Sequence, residues 1–181
     1  MKDYCFVLFL ILVSYSCKSQ DRFEYKENGL VPNYIVMEID TLSQSALYNR
    51  CYRWIQETYK NPSEVIKMQI ENEKIRFEGY SKAITYMNAI GTKNYYDAMY
   101  TIEVSFKEGR FKFDPVSLTL YTNNYVPIDW LDIDYGKPIF KNNGGVRGMY
   151  RNFPTDIGDF FTGLMLDLAS YQIVDNVEDD W

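Results

Sequence analysis

The sequence predicts an α+β fold, an antiparallel sheet with two helices packed on one face, in the order β-α-β-β-β-β-α. Apolar and polar residues alternate with period two in five segments, and two other segments repeat apolar residues at helical spacing. Each predicted strand therefore has one apolar and one polar side. Both helices are expected to cover the apolar side and leave the other to water.

The fold is expected to begin near Tyr34. In Tyr34-Ile35-Val36-Met37-Glu38-Ile39-Asp40, Ile35, Met37 and Ile39 share a side while Glu38 takes the other. Thr41-Leu42-Ser43 supplies N-cap hydroxyls, and Leu47, Cys51, Trp54, Ile55 and Tyr59 follow on one helical stripe. Asn61-Pro62 ends that helix, because proline lacks an amide hydrogen and disfavours helical geometry in the residue before it.

Val65 to Glu71 and Lys74 to Tyr80 read as a hairpin about Asn72-Glu73, with Ile66, Met68 and Ile70 facing the same way as Ile75 and Phe77. Tyr100, Ile102, Val104 and Phe106 alternate with Thr101, Glu103, Ser105 and Lys107, and Glu108-Gly109 turns the chain into Arg110-Phe111-Lys112-Phe113. At Asp114-Pro115 the apolar parity shifts, so Val116, Leu118 and Leu120 are expected to continue the core side past a β-bulge. An irregular stretch over 122–152 precedes Pro154-Thr155-Asp156, which opens a second helix with Ile157, Phe160, Phe161, Leu164 and Leu168 on one stripe. The polar side of the sheet is expected to display Lys67, Gln69, Arg76, Glu103, Lys107 and Lys112, a solvated surface whose partner, if any, is polar.

The chain has 181 residues, enough for one domain over 34–172 once the segments around it are set aside. Residues 1–17 read as a signal peptide: Lys2 precedes the apolar run Phe6 to Val13, which is far shorter than the about 20 residues that span a bilayer. The run ends at Ser14-Tyr15-Ser16-Cys17, which resembles a bacterial lipobox, so Cys17 is expected to carry lipid and become the mature N-terminus. The protein is therefore expected to be an exported, outer-membrane-anchored lipoprotein of the cell envelope, whose partner is the membrane through Cys17. Residues 18–33 are polar and read as a spacer, and 173–181 as an acidic tail.

Several chemistries drop out. A net charge of -6 leaves no global positive field for phosphates, so no nucleic acid is expected as partner. There is no histidine, which excludes Ser-His-Asp and Cys-His catalysis and His-ligated zinc. Once the signal is cut and Cys17 lipidated, Cys51 is the one remaining thiol, and its place on the helical stripe makes it a core residue. No cofactor or metal is expected.

Leu47-Tyr48 and Trp54 in the first helix, Lys74-Ile75 leading to Gly79, and Ile102 through Gly109-Arg110-Phe111 together resemble an uncharacterised domain of Bacteroidetes lipoproteins described as having a TBP-like fold. The resemblance covers roughly residues 34–121. It implies the same element order and an envelope location. It implies no activity and no DNA binding, which would need basic and intercalating residues.

The stretch 122–152 holds Asp129-Trp130-Leu131-Asp132-Ile133-Asp134-Tyr135, three carboxylates among aromatics. Trp130 and Tyr135, with Asp129, Asp132 and Asp134, form a candidate partner-binding loop for an envelope polypeptide or glycan. The bland alternatives are an ordered surface loop or edge strand, with Tyr125, Trp130, Tyr135, Phe140 and Tyr150 sealing the core edge. Asn142-Asn143-Gly144-Gly145 reads as a turn with positive backbone angles. The expected function is a non-enzymatic binding or accessory module; a carboxylate-based hydrolase of glycan or cell-wall material and a structural or assembly protein are the alternatives.

Overall fold

A computed structural model of the chain describes residues 22–121 and 139–173, together with the backbone of 127–129. The strands are β1 (Glu24–Lys26), β2 (Gly29–Val31), β3 (Ile35–Glu38), β4 (Ile66–Ile70), β5 (Lys74–Ala89), β6 (Thr92–Lys107), β7 (Arg110–Tyr121) and β8 (Pro127–Asp129). The helices are α1 (Gln44–Thr58), the single turn α2 (Pro62–Val65) and α3 (Phe153–Ile173). The α+β class is the predicted one. One antiparallel sheet runs in the order β3-β7-β6-β5-β4, with β8 also paired to β7.

Both long helices lie on the same side of it. Trp54 of α1 meets Phe77 edge-on at 5.8 Å and Tyr48 meets Phe106 at 5.7 Å, while Phe161 and Phe160 of α3 meet Tyr100. Phe77, Tyr100 and Phe106 all point to one face, because Phe77 pairs with Ile102 and the even residues of β6 share its side. The predicted cap is present, with Ser43 Oγ accepting from the Ala46 N–H at 3.3 Å. The helix ends at Thr58, and Pro62 opens α2 as its first residue.

Residues 18–33 are not simply a spacer. Phe23, Tyr25 and Leu30 are buried, β1 and β2 pair as a hairpin against α3, and Phe23 inserts between Phe113 of the sheet and Phe161 of α3. The fold therefore starts by Phe23, not Tyr34. A few alternating residues in a polar stretch give too weak a period to reveal a two-stranded unit whose burial depends on a helix far along the chain. Likewise 122–152 is not wholly irregular, since it contains β8, a bridge between Phe140 and Val146, and a 3-10 turn at Gly148–Tyr150. Gly144 takes a φ of +77° in that bridge's turn, as predicted. Ile173, placed in the tail, still belongs to α3.

Two bulges reverse predicted faces. Lys67 is the extra residue between the Ile66↔Phe77 and Met68↔Arg76 pairs, so Met68 and Ile70 turn to the polar side and Gln69 turns inward, where its Nε2 donates to Tyr48 Oη. The bulge predicted at Asp114-Pro115 falls one residue later. Pro115 pairs with Ile102 and Ser117 with Thr101, which leaves Val116 unpaired and exposed, while Leu118 and Leu120 are buried as expected.

β5 and β6 run on past Tyr80 and Tyr100 to 16 residues each, roughly 50 Å of hairpin. Midway, Lys82–Ile84 bulge out opposite Asp97, whose carboxylate accepts from the Ala83 N–H at 2.9 Å and from Tyr80 Oη. Thr85 then returns to the core side, donating to Asp156 Oδ2 of α3 at 2.9 Å. The hairpin closes on Ile90-Gly91, both with positive φ, +49° and +82°. Isoleucine in that conformation costs about 1–2 kcal/mol.

Gly79 sits directly opposite Tyr100 and faces the helices. The missing side chain lets the Tyr100 ring lie across β5 and reach Tyr59, with the two hydroxyls 3.0 Å apart. A Cβ at position 79 would overlap Cζ and Oη of Tyr100 and lie 2.7 Å from its Cε2. Gly79→Ala is therefore expected to cost about 2 kcal/mol in urea denaturation; an unchanged midpoint would mean that the ring has room to retreat.

Candidate binding site on the uncovered sheet face

The side of the sheet away from the helices is polar by alternation, and strand pairing decides which polar residues meet. At its centre Glu103, with its side chain 9% exposed, accepts from Lys74 Nζ at 2.7 Å and from Arg76 Nε and Nη2 at 3.1 and 2.6 Å. Those two cations are thereby satisfied within the sheet.

At the β3/β7 corner three cations meet two acidic partners. β7 enters the sheet beside β3, with Val36 opposite Lys112 and Glu38 opposite Arg110, while Lys107 pairs with Arg110 across the Glu108-Gly109 turn. A cavity of about 410 Å³ opens there, with Tyr34 and Val36 as apolar walls, Ser105, and the cations Lys107, Arg110 and Lys112; among the described residues no acidic side chain lines it. Lys112 Nζ lies 5.1 Å from the Tyr34 ring centre and 2.7 Å from Asp114 Oδ2, and Arg110 reaches Glu38 at 3.7 Å. Lys107 is exposed and makes no ion pair among the described residues. A larger hollow of about 530 Å³ at the opposite edge is lined by Lys60, Lys67, Glu64 and Glu78, and so presents no single sign.

The predicted loop residues Trp130, Asp132, Asp134 and Tyr135 lie outside the described residues, as does Cys17. The backbone of Asp129 is in β8, paired with Thr119, so that residue starts from an edge strand. Two aromatics of the same stretch seal the core: Phe140 is buried and stacks on Tyr25 at 6.1 Å, and Tyr150 packs edge-on to Phe153 at 5.1 Å. Cys51 is fully buried, and burial pushes its thiol well above the ordinary range, so it stays protonated. Lys107 and Lys112 were legible as outward-facing residues. Tyr34, Val36 and Arg110 were not, because the sequence does not say that β3 lies beside β7. Among the described residues, no helix is long and apolar enough to cross a membrane.

The layered arrangement, helices on one side of an antiparallel sheet, is the TBP-like fold of an α+β domain. Residues 34–118 match the family described as "Domain of unknown function (DUF4468) with TBP-like fold". Two solved structures are similar. A DUF4468 family protein from Bacteroides ovatus has 15% sequence identity and a TM-score of 0.63, over 84% of this chain and 95% of that one. A TBP-like protein from Parabacteroides distasonis has 13% identity and a TM-score of 0.56, over 77% and 90%. At such identities the likeness establishes the fold alone. No functionally curated protein matches the chain.

Proposed function

We propose that the chain is a non-enzymatic accessory module of the cell envelope, exported by its N-terminal signal and held at the outer membrane by lipid on Cys17. In this reading it binds an acidic polypeptide or glycan on the uncovered sheet face. The observation that supports it is the corner cavity, where Lys107, Arg110 and Lys112 converge and Lys107 has no acidic partner among the described residues, on a chain of net charge -6. A cation-lined cavity draws in a ligand's carboxylate at short range, where screening leaves the chain's distant negative charges little weight. Tyr34 and Val36 supply a flat apolar wall for the body of the ligand.

The test is calorimetric titration of the full chain with polyglutamate and with polygalacturonate. One of the two is expected to bind, and less tightly at about 200 mM salt than at about 50 mM, because exposed charges are screened. Exposed ion pairs contribute up to about 1 kcal/mol each, so Lys107→Ala, Arg110→Ala and Lys112→Ala combined should weaken binding by about tenfold or more with the circular dichroism unchanged. Binding of neither polymer at low salt, or equal binding by the triple variant, would refute the assignment.

A further inference from the structure

β5 and β6 outlast the rest of the sheet. The last β6–β7 pair is Asp97↔Tyr121 and the last β4–β5 pair is Ile66↔Phe77, so over 86–95 the hairpin is a two-stranded ribbon among the described residues. At its apex Ile90 is fully exposed, the most exposed large apolar side chain described, and it holds a left-handed conformation that Asn or Gly would adopt without strain. A strained residue that buries nothing within its own fold points to a contact outside it. Just behind the apex, Tyr86 and Tyr95 pair across the strands with rings 5.7 Å apart, and Lys93 Nζ lies 4.2 Å above the Tyr86 ring. From Tyr86 to Tyr96 there is no acidic residue, although the chain has 25; Lys93 is the one charge.

We propose that this tip is a membrane contact. Ile90 enters the interfacial layer of a bilayer, Tyr86 and Tyr95 sit at headgroup level, and Lys93 meets anionic headgroups. Lys93 leaves the ribbon between the apex and the tyrosine pair and its ammonium reaches back over the Tyr86 ring, so the apolar apex lies outermost with the cation at the level of the aromatic pair. A protein partner fits less well, because a stable interface takes about 800 Å² from each side and a ribbon tip of a few exposed residues offers far less.

The position of the tether supports the same orientation, and this step rests on the lipidation of Cys17 proposed above. Arg22 pairs with Asp159 in the second turn of α3, one turn beyond the Asp156 that holds Thr85 at the root of the ribbon. Five residues separate Cys17 from Arg22, a reach of at most about 18 Å. Five also separate Thr85 from Ile90, roughly 17 Å of strand. The lipid and the tip can therefore meet one plane. The corner cavity lies at the other end of β6, roughly 50 Å away, and faces the surrounding compartment.

The test uses the full lipidated chain reconstituted in vesicles of mixed zwitterionic and anionic phospholipid. A nitroxide is placed at Thr92→Cys beside the apex, or at Glu73→Cys at the far end; Cys51 is fully buried and does not react. The label at position 92 is expected to be several-fold better shielded from a water-soluble nickel reagent than the label at 73. Ile90→Asn, which suits the turn and should hold or raise the melting temperature, is expected to abolish that shielding. A label at 92 as accessible as that at 73, or shielding that survives Ile90→Asn, would overturn the contact and leave the tip to a protein. The mass of the same preparation scores lipidation separately. If Cys17 proves bare, flotation of that chain with the vesicles decides the matter: several-fold less flotation of Ile90→Asn than of wild type upholds the tip, and equal flotation overturns it.

Discussion

Gly158→Ala is expected to destabilise the chain by about 3 kcal/mol, the reverse of the gain of about 1 kcal/mol that alanine normally brings to a helix interior. The helix at this point carries the N-terminal strand in a notch. A Cβ on Gly158 would lie 2.5 Å from the carbonyl oxygen of Phe23 and 3.3 Å from its carbon. That backbone cannot withdraw cheaply, since the Phe23 N–H donates to Thr162 Oγ1 at 3.0 Å and the Phe23 ring is buried against Phe113 and Phe161. Thr162 is itself anchored to the Gly158 carbonyl at 2.7 Å, so the same two residues both open the notch and clamp its occupant. Urea denaturation should show the loss, and limited proteolysis should show cleavage within 22–31 at protease levels that leave the parent chain intact. Phe23→Ala is expected to cost a similar amount, and the double variant less than the sum, because each removes the same docking. A Gly158→Ala chain as stable as the parent would sink the account.

Glu103→Ala should cost about 1–2 kcal/mol, since it leaves Lys74 and Arg76 side by side on β5 with no counter-charge, a cost moderated because both cations are a third or more exposed to water. Burial works against ionisation of Glu103, but hydrogen bonds from Lys74 and Arg76, with their positive charges, outweigh it and hold the carboxyl below its ordinary value. A carboxyl depressed in the folded state stabilises the fold at every pH above its unfolded value of about 4.3. That contribution is lost as pH falls through the lowered folded value. Glu103→Gln should accordingly lose stability at neutral pH and show a flatter dependence on pH below about 5 than the parent. Parallel acid-denaturation curves for the two would show that the ion triad contributes nothing to the fold.

Much of the fold was readable because its signals are local. Ser43 caps α1 where the sequence puts a hydroxyl before a helical stripe, Leu47, Cys51, Trp54 and Ile55 are buried on that stripe, and Tyr100, Ile102, Val104 and Phe106 face the core by simple alternation. The parity change after Phe113 correctly announced a bulge, because an inserted residue must flip every side chain beyond it. Its position was one residue off, since Asp114, Pro115 and Val116 are each acceptable as the extra residue until β6 is laid beside them. The bulge at Lys67 gave no sequence signal, as Met68 and Ile70 continue an apolar alternation that in fact points to water.

What the sequence determined by itself was the two long helices and β3, β5, β6 and β7, with the side of each that is dry, because those follow from the period of side chains along a single strand or helix. What only the tertiary structure decided was adjacency. Phe23 is core because a glycine notch 135 residues later receives it, and Tyr34, Val36, Lys107, Arg110 and Lys112 share a cavity because β3 lies next to β7. Neighbours across a sheet or between layers are chosen by which surfaces fit when the whole chain packs, and no local stretch of residues encodes that choice.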